Sequence, residues 1–245
     1  MKLSIAIITW NRSIQLIEAL TSCVLCKLPA DTQFVIIDNA STDDTETKVK
    51  HFFENRSFLF YYEKMAENMG AGIGRNYAFS KCNGEYVYFL DDDAYIDVKV
   101  NDDFFLKAIN ILDAHQEIVT LTTQIYDLML KLNRVSGTGP IIYDGLRKLF
   151  MVCGGSHFLR RTFFSNDEPY FSNKYGYEEL KPSLLVYDAG LLNVFAPELI
   201  VIHNPTVNKW NYNEKKNQEV LIRYVVNQFI LKSNIYPSVC YPLCY

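Results

Sequence analysis

The stretch EYVYFLDDD, residues 85–93, sets the apolar run Tyr86 to Leu90 directly against three carboxylates. The run shows no alternation of polar and apolar side chains, so it reads as a strand covered on both faces, as in a parallel sheet. Adjacent carboxylates repel one another, and keeping all three ionised at a strand end calls for a cation or many donors. Extended backbone points successive side chains to opposite sides, which groups Asp91 with Asp93 and sends Asp92 elsewhere. The plainer reading is a solvated acidic turn that caps the next helix.

Outward from this strand the first half alternates between short apolar runs and helical patterns. Leu3 to Ile8, Phe34 to Ile37 and Phe58 to Tyr62 read as buried strands. Ser13 to Lys27, the segment from the Asn39–Asp43 turn to about Glu54, and Gly72 to Lys81 read as helices. Such spacing specifies βαβ units and an α/β fold with a mostly parallel sheet flanked by helices. The second half is less regular. Ile118 to Tyr126, Phe150 to Leu159 and Ile200 to His203 are strand-like, the second interrupted by Gly154-Gly155. Glu178 to Ala189 and Gln218 to Lys232 are helix-like, the latter amphipathic, and residues 128–148 fit no pattern. No repeat or linker divides the chain, so its 245 residues read as one domain.

Composition narrows the function classes. Twenty-four Lys and Arg against 28 Asp and Glu, with no basic block, argue against a nucleic-acid binder. No apolar stretch is long enough for a transmembrane helix or a signal-peptide core, so the expectation is a soluble, unexported protein. The six cysteines, at 23, 26, 82, 153, 240 and 244, are expected to be reduced, including the C-x-x-C of Cys23 and Cys26.

In open α/β sheets ligands bind beyond the carboxyl ends of the strands. Thr9, Trp10, Asn11 and Arg12 follow the first strand, Asp38 and Asn39 the second, and Asp91, Asp92 and Asp93 the fourth. Trp10 beside Asp38 would suit a nucleobase, one stacking and one accepting from a base N–H, although a rim aromatic and a helix cap remain open. Gly70-Ala71-Gly72-Ile73-Gly74-Arg75 resembles a dinucleotide loop but has Arg at the third small position and follows the wrong strand. Its small residues instead let a helix approach the sheet, while Asn68 and Arg75 are placed to reach ribose or phosphates. Glu178-Glu179 opens the late helix, and His203 ends a strand where a neutral imidazole could join an acidic metal site. His51, His115 and His157 read as structural or surface residues, and Arg160-Arg161 as a turn contact or an anion grip.

Together the segments SIAIITWNR, FVIIDNASTDDT, ENMGAGIGRNYAFSKCNGEYVYFLDDDAYI, GGSHFLRR and GYEELKPSLLVYDAGLLNVFAPELIVIH, between residues 4 and 203, resemble a family 2 glycosyltransferase of the GT-A fold. The resemblance implies a nucleotide-sugar-binding half over 1–100 and an acceptor-binding half with a C-terminal helix over 101–245. It implies that Thr9, Trp10, Arg12, Asp38, Asn68, Arg75, Asp91 and Asp92 hold a nucleotide-sugar donor, with UDP-sugar the expected class. Asp93 with Asp91, in the position of the DXD motif, and His203 would bind Mn²⁺ or Mg²⁺. The catalytic base falls on Glu179, with Glu178 its rival, because Glu stands at 179 where the family has Asp and Lys181-Pro182 replaces further acids. The implied reaction is inverting transfer to a glycan, lipid-linked or peptide acceptor in bacterial polysaccharide or glycoconjugate synthesis, in the cytoplasm or peripheral at the membrane. A catalytically impaired nucleotide-binding partner protein and a sugar nucleotidyltransferase are the alternatives, the latter wanting a Gly-rich loop that TWNRS does not provide. The tail Ile235 to Tyr245 fits core packing, a dimer contact, a lid or a membrane-surface patch.

Overall fold

The computed structural model describes residues 1–135, 139–165, 168–174 and 176–205. The first half alternates as expected through β1 (Leu3–Thr9), α1 (Ser13–Leu25), β2 (Gln33–Asp38), α2 (Thr45–Glu54), β3 (Leu59–Lys64), α3 (Ala71–Lys81) and β4 (Tyr86–Leu90). The second half comprises β5 (Ala94–Ile96), α4 (Phe104–Ala114), β6 (Ile118–Asp127), β7 (Leu132–Asn133), β8 (Ile141–Tyr143), β9 (Leu146–Leu149), β10 (Ser156–Arg160), a 3₁₀ turn (Arg161–Phe164), α5 (Leu180–Asp188) and β11 (Leu192–His203).

One sheet runs β3-β2-β1-β4-β10-β6-β11-β9-β8. Its first four strands are parallel, β10 enters antiparallel to β4 and β6, and β11 returns parallel to β6. The period of two sorts the core. Leu3, Ile5, Ile7, Phe34, Ile36, Tyr86 and Tyr88 pack on one face with Leu16 and Leu20 of α1, Phe53 of α2 and Phe104 of α4. Ala6, Val35, Ile37, Val87 and Phe89 pack on the other with Ala78 and Phe79 of α3 and Val186 of α5. Each large apolar side chain so buried contributes roughly 1.5–3 kcal/mol, and a one-residue slip would exchange the two faces. Register is thereby fixed, and with it the edge at which β1, β2 and β4 end.

The later elements depart from the sequence pattern for local reasons. The strand expected over 150–159 shortens to β10 because the backbone at Gly155 is left-handed, with φ of +101°. Ile200 to His203 is the end of a 12-residue strand. The late helix starts at Leu180, two residues after Glu178, with Pro182 in its first turn, where a missing N–H costs nothing. Residues 128–148 supply β7 and the β8–β9 hairpin.

Arg160 is buried and donates to the carbonyls of Leu112, His115 and Ile118, so it ties the end of α4 to the sheet. Arg161 Nε donates to the Gly84 carbonyl at 2.7 Å. The pair is thus a set of backbone contacts, not an anion grip. Cys23, Cys26 and Cys82 are buried free thiols, as expected. The helix expected over 218–232, the tail from Ile235, Cys240 and Cys244 lie outside the described residues. Among the described residues no helix is long and apolar enough to cross a membrane.

Candidate active site

The carboxyl ends of β1, β2 and β4 meet at one edge, where Thr9 pairs with Asp38 in the sheet register. The loops beyond them are laced together. Asn39 N donates to the Thr9 carbonyl at 2.8 Å, Asn11 N to Ser41 Oγ at 2.9 Å, and Thr42 N to Asn11 Oδ1 at 2.7 Å. Asn11 holds φ of 53°, a left-handed conformation that Asn tolerates better than most residues. Asp92 accepts from Thr9 Oγ1 at 2.8 Å, from the Trp10 N–H at 3.4 Å and from Arg12 Nη1 at 2.9 Å. Trp10 itself is 46% exposed. Thr9, Trp10, Arg12, Asp38 and Asp92 therefore share one rim.

Asp38 sits deeper than an open base clamp requires. It is fully buried, its oxygens accepting from Ser41 N at 2.7 Å and Tyr62 OH at 2.7 Å, so in this structure it ties the turn after β2 to β3. Asn68 Oδ1 accepts from Gly70 N, and the residue lines a cavity of about 320 Å³ with Glu67, Met69, Ile73, Ser172 and Lys174. Asn39 fastens this loop to the same strand ends: its Nδ2 donates to the Gly70 carbonyl and its Oδ1 accepts from Met69 N.

Antiparallel pairing of β5 with β11 sets His203 opposite Ala94, one residue from Asp93. Ligand atoms of Asp91, Asp93 and His203 consequently lie within 4.8 Å of one another. The expected grouping of Asp91 with Asp93, and of Asp92 toward Thr9, arises from a turn and not from strand alternation, since β4 ends at Leu90 and Ala94 N donates to the Asp91 carbonyl. His203 Nε2 is 3.2 Å from Asp93 Oδ1. Arg12 Nη1 lies 2.9 Å from both Asp92 Oδ1 and Asp93 Oδ2. Burial disfavours the charge on Asp93, but the hydrogen bond from His203 and the Arg12 charge outweigh it and keep the carboxyl below its usual range. Burial pushes Asp92 up to about 6 despite Arg12. On the same pattern burial alone would lower His203, and its contact with Asp93 raises it. Two carboxylates and an imidazole form a donor set suited to Mn²⁺ or Mg²⁺.

A second acidic group faces Asp91 from the late helix. Gly176 and Tyr177, with φ of 81° and 64°, turn the chain so that Glu178 and Glu179 point inward. Both are buried and share Arg75: its Nη1 contacts Glu178 Oε1 and lies 2.5 Å from Glu179 Oε1, while Nη2 is 2.9 Å from Asp91 Oδ1. Arg75, expected at ribose or phosphate, is here engaged by three carboxylates. A buried guanidinium needs counter-charge, and these three acids supply it. One cation cannot neutralise all of them. Burial, then the neighbouring Glu178, push Glu179 up to about 8, with Arg75 pulling the other way. The rim thus holds Asp91, Asp92, Asp93, Glu178 and Glu179 against Arg12 and Arg75, a surplus of negative charge that a divalent cation would offset.

The backbone wraps closely around these carboxylates. A Cβ at Gly154 would lie 2.2 Å from Glu179 Oε1, and one at Gly155 3.0 Å from Asp91 Oδ2. Gly155 O also accepts from Asp91 N at 2.9 Å. The glycine pair is a site feature that sequence reading took for an interrupted strand. Asp127 and Arg134, packed behind His203, were also missed. Asp127 ends β6 at the carboxyl edge, the position that singled out the other acids. His51 is exposed, His115 stacks on Tyr143 and His157 is buried against the Tyr170 hydroxyl, so none of these joins the cluster.

The sequence model of the family described as Glycosyl transferase family 2 matches residues 4–167. The poly(ribitol-phosphate) beta-N-acetylglucosaminyltransferase TarS of Staphylococcus aureus (strain Mu50 / ATCC 700699) is 29% identical over 140 residues, which cover 57% of this chain and 22% of the relative. A crystal structure of S. aureus TarS 1-349 in complex with UDP-GlcNAc superposes with a TM-score of 0.67 at 20% identity, covering 85% of this chain and 60% of that one. The mannosyltransferase PcManGT from Pyrobaculum calidifontis, in complex with GDP-Man and Mn²⁺, gives 0.69 at 19% identity over 86% of this chain and 58% of that one. The chain thus spans about a fifth of the length of the curated TarS relative. The solved structures carry the fold alone, which is the GT-A type that the resemblance implied.

Proposed function

From the premise that the chain belongs to glycosyl transferase family 2, we propose that it moves a sugar, with inversion, from a nucleoside-diphosphate donor to an acceptor hydroxyl in bacterial polysaccharide or glycoconjugate synthesis. The observation that carries this reading is the approach of Asp91, Asp93 and His203 within 4.8 Å, between the Trp10 rim and the Arg75–Glu178–Glu179 group. UDP-sugar is the favoured donor class, since TarS has been crystallised with UDP-GlcNAc.

Each residue has a task. The exposed indole of Trp10 stacks on the base, and Thr9 and Asp92 hold the strand end against it. Arg12, partly exposed between Asp92 and Asp93, turns its fork to the diphosphate. Asn68 and the α3 start border the nucleotide. Mn²⁺ or Mg²⁺, held by Asp91, Asp93 and His203, would supply Lewis-acid stabilisation of the negative charge gathering on the leaving diphosphate. Glu179 takes the acceptor proton as the hydroxyl attacks C1 from the far face, a contribution of roughly 10²–10⁴ in rate. Its raised pKa makes it a stronger base once ionised, and Arg75 holds its carboxylate in place.

The test is release of nucleoside diphosphate from a panel of UDP- and GDP-sugars with Mn²⁺, with and without glycan acceptors, and the product anomer read by NMR. Metal-stimulated release with an inverted product is expected. Tight nucleotide binding without release from any donor would favour the non-catalytic partner reading, and activity indifferent to EDTA would remove the metal.

A further inference from the structure

His203 meets a carboxylate on each side of its ring. Nε2 faces Asp93 at 3.2 Å, and Nδ1 lies 3.1 Å from Oδ2 of Asp127, a residue 0% exposed at the end of β6. The β6–β11 register places the two directly opposite each other. Asp127 is itself held from several directions. Its Oδ2 accepts from Arg134 Nε at 2.8 Å and lies 2.7 Å from Nη2. Its Oδ1 accepts from Met129 N at 3.0 Å and Leu130 N at 2.8 Å. The oxygens divide the work: Oδ1 closes the 127–130 turn, while Oδ2 serves Arg134 and the histidine.

We propose that Asp127, anchored by Arg134, is a positioning residue for the cation site: it accepts the Nδ1–H of His203 and so fixes the ring and the tautomer in which Nε2 offers its lone pair beside Asp91 and Asp93. This rests on the metal reading above. An imidazole can donate an electron pair from Nε2 only if the remaining proton sits on Nδ1, and once a cation engages Asp93, which otherwise takes the Nε2 proton, the buried, pinned carboxylate at Nδ1 selects that tautomer. A free ring would divide its population between tautomers and rotations. The turn contacts alone would be served by Oδ1 and do not explain why Oδ2, pinned by Arg134, meets the ring.

Asp127→Asn separates the two roles, because the amide keeps an acceptor for the turn and presents N–H groups where Oδ2 was. Mn²⁺ affinity is read by EPR of the free ion, and the His203 ring nitrogens by ¹⁵N NMR of metal-free Asp93→Ala at a pH where the ring is neutral, because Asp93 otherwise competes for the Nε2 proton. Expected are an Nδ1–H tautomer in Asp93→Ala, a shift toward Nε2–H when Asp127→Asn is added, and about 10–100-fold weaker Mn²⁺ binding in Asp127→Asn alone. In a His203→Ala background the same substitution should cause no further loss. Mn²⁺ binding within twofold of wild type, or an equal loss in the His203→Ala background, would overturn the proposal. So would an Nε2–H tautomer in metal-free Asp93→Ala, a readout that stands even if the Asp127 variant does not fold. If wild type and Asp93→Ala bind Mn²⁺ equally weakly, the metal reading fails instead, while the tautomer still decides the role of Asp127.

Discussion

Gly154→Ala adds one methyl group, and its consequence can be worked from distances. The new Cβ would stand 2.2 Å from Glu179 Oε1 and 2.9 Å from its Cδ, whereas real Cβ atoms keep at least 3.0 Å. The carboxylate or the glycine backbone must therefore move by about 0.8 Å. Glu179 has little freedom to yield, since its Oε1 is held by Arg75 and its backbone carbonyl accepts from Ser183 N and Oγ. Displacing a reacting group by about an ångström costs on the order of 10²-fold in rate. The strain of an overpacked site costs about 1–3 kcal/mol of stability. The substituted glycine is on the base side, so donor affinity should stay within a few-fold of wild type. Steady-state kinetics, calorimetric titration of the donor and urea unfolding together check this. A folded Gly154→Ala enzyme with wild-type kcat would refute the assignment of the base to Glu179.

Glu179→Gln should lower turnover by at least about 10²-fold with donor affinity nearly intact, and a fully active variant would move the base to Glu178. Stability carries a second signature of the same residue. Glu179 has an ordinary value of 4.5 and a folded value of about 8, so the folded state keeps a proton that the unfolded state has lost between these limits. The contribution is complete below about pH 4.5 and disappears as pH rises through about 8, so thermal stability should fall across that window in the wild type and less steeply in Glu179→Gln; parallel curves would contradict it. Arg75→Met leaves Asp91, Glu178 and Glu179 without their shared cation and should cost about 3–5 kcal/mol in urea unfolding, less at acid pH. A loss below about 1 kcal/mol would mean that these acids are held neutral by other means. Asp93→Ala should abolish stimulation by Mn²⁺ and weaken donor binding; wild-type stimulation would exclude Asp93 as a ligand.

The strand ends that gather the site were readable because β1, β2 and β4 are continuous apolar runs that stop abruptly at polar residues. The common edge then followed from the parallel arrangement of a βαβ chain. What could not be read depends on pairing between distant segments. Arg75 finds its acids 103 and 104 residues further on, and a sequence cannot tell a guanidinium aimed at a phosphate from one enclosed by carboxylates. Asp127 and His203 are 76 residues apart and meet only through the β6–β11 register. The role of Gly154 is likewise invisible locally, since its glycine is required by a side chain arriving from α5 and not by its own backbone turn. α4 was missed although Phe104, Phe105, Ala108, Ile109 and Leu112 recur at helical spacing with Lys107, Asn110 and Asp113 on the other face, so its signal was present in the sequence.

The central claim is that the Trp10 rim and the Asp91–Asp93–His203 group form one site for an activated sugar and its cation. Anomalous difference density from Mn²⁺, in crystals soaked with a UDP-sugar, tests it most directly. The expected peak lies between Asp91, Asp93 and His203, with the diphosphate on its open side and the base against Trp10. A peak on another face of the molecule, or a nucleotide bound away from both groups, would contradict it.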